Sequence, residues 1–336
     1  MDGLTVAVTG PTGDIGRSLI RTLEHTPEVD RIVGMARRPF DPAEHGWERT
    51  EYRRGDVLDR GSVDGLVDGA DVVVHLAFII FGGRDETHEI NLKGSQNVFE
   101  ATVAAGAKRL VYTSSVAAYG FQKDNPDVLT EDVQPRGTPD FYYSAQKAEL
   151  ESMLSSVVKG SATDAYVFRP CIVAGWDAPT LVEGFTGQKM LGPRLRPLWR
   201  ALDSAPIVGP VLPDTGVPFQ LVHHDDVATA IAAAVIGRGA AGTYNLASED
   251  PVTVRDVAHA LGWHALRVPR LAVDAAAEVV SRVPRLPPEV RWINVLRKPV
   301  LMDTAKARRE LGWRPRHDAE ETLRETVEGA RAAGIV

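Results

Sequence analysis

Thr9-Gly10-Pro11-Thr12-Gly13-Asp14-Ile15-Gly16 joins the apolar run Leu4–Thr9 to Arg17–Glu24, a stretch with helical spacing. Its three glycines stand at GxxGxxG spacing, between a strand and a helix. Glycine there permits a tight turn, close approach of backbone to a pyrophosphate, and close packing of helix on strand. The helix start adds free N–H groups and a partial positive charge, both suited to phosphate. The spacing therefore predicts a dinucleotide-binding loop made of Gly10, Thr12, Gly13, Asp14, Ile15 and Gly16.

Outward from this loop, short runs rich in β-formers alternate with helical stretches. Leu4–Thr9, Arg31–Ala36, Tyr52–Arg54, Asp71–Leu76, Arg109–Thr113 and Ala165–Arg169 read as strands; Asp14–Glu24, Glu86–Ala105 and Tyr142–Val158 read as helices. The strands are almost continuously apolar, as in a parallel sheet covered on both faces. The fold class predicted is α/β, a doubly wound parallel sheet of Rossmann type with a smaller, mostly helical C-terminal substrate lobe. From Trp176 to Pro218 the chain carries seven prolines and reads as irregular, with Phe185, Met190 and Trp199 interspersed. Phe219–Val222 and Gly242–Ala247 read as strands around a helix at Asp225–Ile236, and Asp303–Leu311 and Ala319–Ala332 as closing helices. The expected division is residues 1–175 as dinucleotide-binding domain, completed by 219–247, with 176–218 and 248–336 as the substrate lobe.

The bulk numbers narrow the function classes. A formal charge of −7 over 336 residues gives no basic footprint for nucleic acid or an anionic membrane. No apolar run approaches the ~20 residues of a membrane span, and the first residues lead straight into a strand rather than a signal peptide. A single cysteine, Cys171, excludes an internal disulfide and a multi-cysteine metal site. The expected compartment is the cytoplasm, and the expected partner a small-molecule substrate.

The second strand ends in Ala36, followed by Arg37 and Arg38. An acid at this position bonds a ribose 2′-hydroxyl, whereas arginine accommodates a 2′-phosphate. Two guanidinium groups without a nearby carboxylate favour NADP(H), with NAD(H) as the other choice. Asp56 and Val57, after the third strand, are placed to meet the adenine. Leu76 and Ala77 would lie beside the nicotinamide ribose, and Thr113, Pro170 and Cys171 complete the cofactor-facing set. His75 reads as a packed, hydrogen-bonded residue, and Cys171 as a neutral thiol packed against the ring, since no cationic helper stands near it in sequence.

Tyr143 and Lys147 are four apart in one helix, so they share a face. A phenol with its ordinary pKa of ~10 is a poor base near neutrality. A neighbouring ammonium, with the positive oxidised nicotinamide, would favour phenolate, and Tyr143 would then take a proton from an alcohol or give one to a carbonyl. Ser115, at the end of the fifth strand on the same sheet edge, would hold the substrate oxygen.

Taken together, Thr9–Gly16, His75-Leu76-Ala77, Asn91–Asn97, Ser114-Ser115 with Tyr119-Gly120, Tyr143 with Lys147, Phe168–Gly175, Val222–Ala228 and Asp303–Pro315 resemble the extended short-chain dehydrogenase/reductase family. The likeness runs in order along nearly the whole chain. It implies that Ser115, Tyr143 and Lys147 are catalytic, and that Lys147 also bonds the nicotinamide ribose hydroxyls. Ser115 rather than Ser114 is implied because the family's serine precedes the Tyr-Gly tyrosine by four. The helices Glu86–Ala105 and Tyr142–Val158 often pair across a two-fold in this family, which implies a homodimer.

Two departures bear on the substrate. Family members that bind nucleotide-diphosphate sugars usually carry asparagine three residues before the glycine matching Gly175; here that residue is Ile172, which cannot donate to a pyrophosphate. Phe78-Ile79-Ile80-Phe81 is apolar for a loop beside a sugar site and reads equally as packing or as a substrate wall. Phe78, Ser115, Ala117 and Ile172 form the expected substrate surface. The reading favoured is hydride transfer between NADP(H) and a less polar carbonyl or alcohol. The alternatives are a nucleotide-sugar epimerase or dehydratase, and a dinucleotide-sensing regulator without chemistry. Asp226 and Asn245 are expected to fix loops. His223 and His224 raise the question of a metal, but without a carboxylate/histidine cluster at helical ligand spacing no metal is expected.

Overall fold

The computed structural model describes residues 3–80, 87–139, 141–185, 210–269 and 299–336. Phe81, Phe185 as a side chain, Met190, Trp199 and Trp292 lie outside what it describes.

Strands β1 (Leu4–Thr9), β2 (Val29–Ala36), β3 (Thr50–Arg54), β4 (Val72–His75), β5 (Arg109–Thr113), β7 (Asp164–Pro170) and β11 (Gly242–Leu246) form a seven-stranded sheet. Its order is β11-β7-β5-β4-β1-β2-β3, and every neighbouring pair is parallel. Side chains alternate between the faces, and each face has its own core. Val6, Val8, Val72 and Val74 pack on the side of α1 (Asp14–Glu24) and α6 (His224–Val235). Ala7, Val33, Val73 and Leu110 pack on the side of α2 (Arg60–Val67), α3 (Gly94–Ala104) and α4 (Tyr142–Val158). Covering both faces explains why these strands are valine-rich without a polar stripe, since each buried valine contributes roughly 1.5–3 kcal/mol. The strand order reverses between β1 and β4, so a crevice opens beyond their carboxyl ends.

Two expectations from the sequence are corrected. The helix expected at Glu86–Ala105, described from Thr87 onward, is interrupted by a wide turn, Glu89–Lys93, before α3. This turn carries the fully buried Asn91, whose amide bonds the backbone of Ile79 and the side chain of Gln146. Phe219–His223 (β10) does not return to the large sheet. It pairs with β8 (Ile172–Ala174) and β12 (Pro251–Val252) in a separate three-stranded sheet, while only Gly242–Leu246 goes back.

Besides α5 (Thr180–Phe185), α7 (Val254–Leu261) and α8 (Ala319–Ala332), the described parts of the lobe hold a two-stranded sheet of β9 (Val211–Asp214) and β13 (His264–Arg267). A second short pair joins β6 (Val128–Leu129) to β14 (Leu301–Met302). Among the described residues no helix is long and apolar enough to cross a membrane.

Candidate active site

The loop after β1 is shaped by its glycines. Gly10 has φ +73°, and a Cβ there would stand 2.9 Å from the Ala77 nitrogen. A Cβ on Gly16 would lie 2.2 Å from the Gly10 oxygen, a backbone atom, so only glycine lets α1 start this close to the strand. A Cβ on Gly13 would meet only the Gly10 oxygen at 3.5 Å; its side of the loop is open. No side chain caps α1 at Gly13, so the first-turn N–H groups, which have no intrahelical partner, are presented there. The Asp14 carboxylate turns away to accept from Thr180 Oγ1 at 2.9 Å, and Arg17 donates to the Thr12 carbonyl at 3.0 Å while forming a bidentate pair with Asp177. Asp14 thus faces the loop with backbone rather than with charge.

Arg37 and Arg38 follow β2 and are exposed; their carbonyls accept from Arg54 and from the Tyr52 hydroxyl. Among the described residues their guanidinium groups meet no carboxylate. Asp56 is half-buried and spends one oxygen on the Leu58 N–H at 3.0 Å. Val57 is buried against Gly94.

At the end of β4, His75 is wedged between Thr9 Oγ1 (2.7 Å) and Ser95 Oγ (2.8 Å). Burial first, and then the Lys147 charge, push its pKa down to about 3, so the ring is a neutral strut between β1 and α3. Leu76 and Ala77 are half-buried, and the Ala77 N–H reaches Thr9 Oγ1 at 3.3 Å.

Ser115, Tyr143 and Lys147 converge beyond β4, β5 and β7. Ser115 is buried; its Oγ accepts from the Ala117 N–H at 3.2 Å and shares a hydrogen bond with Tyr143. Ala117 is buried, and its carbonyl accepts from Ser144 Oγ. Lys147 Nζ donates to the Thr113 carbonyl at 2.9 Å and approaches Tyr112 Oη at 3.4 Å. The phenolate-favouring effect expected of the lysine is not what dominates here. Burial raises the Tyr143 phenol above its ordinary value, against the Ser115 hydrogen bond, and burial pushes Lys147 down to about 7 against Glu151. Both groups are held toward their neutral forms because little water reaches them.

Behind this trio lies a buried ion pair that the sequence reading did not identify. Glu151, one helical turn past Lys147, takes Arg169 Nε at 2.9 Å and Nη2 at 2.5 Å, and Ser114 Oγ donates to it at 2.5 Å. Arg169 also covers the Tyr119 ring at 4.4 Å, and the Tyr119 hydroxyl donates to Asn245. The spacing Tyr143, Lys147, Glu151 puts all three on one face of α4, which is the only signal for Glu151 in the sequence. Pro170 and Cys171 are buried, and burial pushes the Cys171 thiol well up, into an inert neutral state. Ile172 is half-buried in β8.

His223, His224 and Asp225 do bring one ligand atom each within 4.8 Å of one another. Two of the three are engaged: Asp225 is held by Ser18 and Arg21, and His223 Nδ1 accepts the Asp225 N–H while Nε2 meets Glu325. The buried His224 Nδ1 lies 3.2 Å from Asp225 and makes no hydrogen bond among the described residues.

The crevice fits a dinucleotide. It combines an open glycine turn, an uncapped helix start, and the buried Thr113 Oγ1, which has no hydrogen-bond partner among the described residues. This chain belongs to the NAD dependent epimerase/dehydratase family, whose model matches residues 6–247. It is 27% identical over 332 residues to an uncharacterized protein of Sinorhizobium fredii, covering 96% of this chain and 77% of that one. It is 28% identical over 184 residues to sterol demethylase protein B of Methylococcus capsulatus, covering 53% of this chain and 55% of that one. Among solved structures it resembles a short-chain dehydrogenase/reductase superfamily protein from Agrobacterium tumefaciens with bound NAD (TM-score 0.72, 18% identity, 98% of each chain). It also resembles UDP-glucuronic acid 4-epimerase from Bacillus cereus in complex with NAD (TM-score 0.73, 17% identity, 98% of this chain and 99% of that one). At such identities the likeness to solved structures is one of fold.

Proposed function

We propose that this protein is an NADP(H)-dependent reductase or dehydrogenase that interconverts a less polar carbonyl and its alcohol. The observation that carries this reading is the apolar surface around the phenol: the Phe78 ring stands edge-on to Tyr143 at 5.6 Å, the Phe141 ring lies at 5.9 Å, and Ile79 and Ile80 come next in the chain after Phe78. A sugar diphosphate needs donors on such a wall, whereas an alkyl or aryl ketone needs only its shape and one polar handle. The exposed guanidinium groups of Arg37 and Arg38, which meet no carboxylate among the described residues, support the 2′-phosphate.

The roles follow from the chemistry of each group. Gly10, Gly13 and Gly16 with the start of α1 would hold the pyrophosphate, Arg37 and Arg38 the adenosine phosphate, and Thr113 and Lys147 the nicotinamide end. When bound, the cofactor supplies or takes the hydride. Ser115 orients the substrate oxygen. Tyr143 gives its proton to that oxygen as hydride reaches the carbon, and Lys147 stabilises the phenolate left behind; oxidation runs the same steps backwards.

A second reading, an epimerase or dehydratase that returns the hydride to its substrate, is favoured by the family to which the chain belongs. The two separate in one assay. The protein is mixed with NADPH or NADH and with alkyl and aryl ketones, aldehydes and nucleotide sugars, while absorbance at 340 nm and products are followed. Loss of absorbance matched by alcohol formed is the expected result. Product without net cofactor consumption would defeat the reductase reading. In the same assay Arg37→Ala should weaken NADPH by about tenfold and leave NADH nearly unchanged; equal losses would remove the 2′-phosphate assignment.

A further inference from the structure

A third side chain stands against the pair that would do the chemistry. The centre of the Phe78 ring lies 3.7 Å from Lys147 Nζ, and the same ring meets Tyr143 at an interplanar angle of 84°. An ammonium has three donors and no acceptor. On Lys147 the Thr113 carbonyl takes one at 2.9 Å and Tyr112 Oη approaches a second at 3.4 Å. The face of Phe78 covers what is left. The ammonium is buried and among the described residues forms no ion pair; the Glu151 charge favours it from one helical turn away. The Phe78 face is the aromatic surface that meets it most closely, at 3.7 Å against 5.1 Å for Tyr112.

The backbone around Phe78 is held by hydrogen bonds on both sides, while its half-buried ring is held by packing alone. On one side the Ala77 N–H reaches Thr9 Oγ1 at 3.3 Å. On the other, Asn91 bonds the N–H of Ile79 at 2.8 Å and its carbonyl at 2.9 Å, and the Tyr142 hydroxyl holds the Ile80 carbonyl at 2.6 Å. Motion at this position is therefore rotation about the side-chain torsions of Phe78, with the loop staying in place. Any ligand whose hydroxyls are to hydrogen-bond Lys147 must come from the side the ring occupies, because protein oxygens hold the others.

We propose that Phe78 is a displaceable cap on Lys147, which holds the ammonium while the crevice is empty and swings off when the ribose hydroxyls of a pyridine nucleotide arrive. Cofactor affinity is then reduced by the cost of breaking the contact between cation and ring. Phe78 is in this sense a positioning residue acting through Lys147. The proposal rests on the cofactor reading given under Proposed function.

The test is cofactor binding by the purified full chain, read by calorimetry and independent of turnover. Phe78→Ala should bind NADPH or NADH about tenfold more tightly than the unaltered protein, because the competing contact is gone. Phe78→Leu, which keeps bulk in case the alanine variant folds poorly, should gain less. Phe78→Tyr, which keeps the π face, should give back the original affinity. In a Lys147→Met background the gain from Phe78→Ala should vanish, since the two residues act as one unit. With 4-fluorophenylalanine at position 78, saturating cofactor should move the fluorine resonance. Weaker or unchanged binding in both the alanine and leucine variants would show a fixed wall and overturn the cap, as would an equal gain without Lys147 or an unmoved resonance. Those results would leave the cofactor reading standing; failure of the unaltered chain to bind any pyridine nucleotide would overturn both.

Discussion

Lys147 carries a charge in a place that disfavours charge, and the pH dependence of the site follows from that. Its pKa is pushed down to about 7, first by burial, so the unliganded protein loses the ammonium as pH rises through neutrality. Reduction that needs this charge should show kcat/KM falling above about pH 7, the pKa of the free protein's group. Lys147→Arg, which keeps its charge, should move that alkaline limb upward even if the rate is lower; a limb that stays put in the arginine variant would assign the titration to another group. Tyr143 and Lys147 were legible as a pair because helical spacing makes neighbours of residues four apart. Glu151 continues the same stripe and could have been read with them. Arg169 could not, since its partner is met across the strand-helix interface 18 residues away, where no local period points. The raised phenol was also hidden, because sequence shows which charges are near in the chain but not how little water reaches them.

At the level of elements, the join of β1 to α1 makes a sharp distinction between two glycines of one motif. A Cβ on Gly16 would overlap backbone at 2.2 Å and must move the helix, whereas one on Gly13 has only a 3.5 Å contact and points toward open space. Gly16→Ala should therefore lower stability by roughly 1–3 kcal/mol. Gly13→Ala should unfold at nearly the native midpoint yet lose cofactor affinity by tenfold or more, as the methyl group would stand in the proposed path of the phosphate. Denaturant titration beside a binding isotherm separates the two, and equal stability losses would show that the loop has no open side. Both bounds of α1 and of α4 were readable from their apolar spacing. The wide turn at Glu89–Lys93 was not, because it is set by the bonds Asn91 makes to Ile79 and Gln146 rather than by any propensity of its own. The sheet that receives Phe219–His223 was likewise hidden: an apolar strand states that it is buried, not which neighbour it will take.

Across the whole molecule, the segment just past β8 ties the lobe to the nucleotide loop. Gly175 has φ +132° and stands where a Cβ would strike His224 at 2.4 Å, and its N–H is held by Thr326 of α8. Beyond it, Asp177 pairs with Arg17, Thr180 with Asp14, and Trp176 lies under Arg21 at 5.5 Å. Asp177→Ala should therefore weaken cofactor binding several-fold without touching any group that meets the cofactor, with Asp177→Glu restoring most of it; an unchanged dissociation constant would show that the tie is idle. The apolar flank of α1 is also covered by α6, whose residues begin at His224. A ribosome thus releases the glycine turn some 160 residues before Asp177, its far-off counterpart, exists. A nascent chain or an engineered fragment ending at 175 would carry every glycine of the motif while leaving one flank of its first helix bare, so dissecting the protein at the boundary its sequence suggests yields an incomplete grip rather than a minimal nucleotide-binding module.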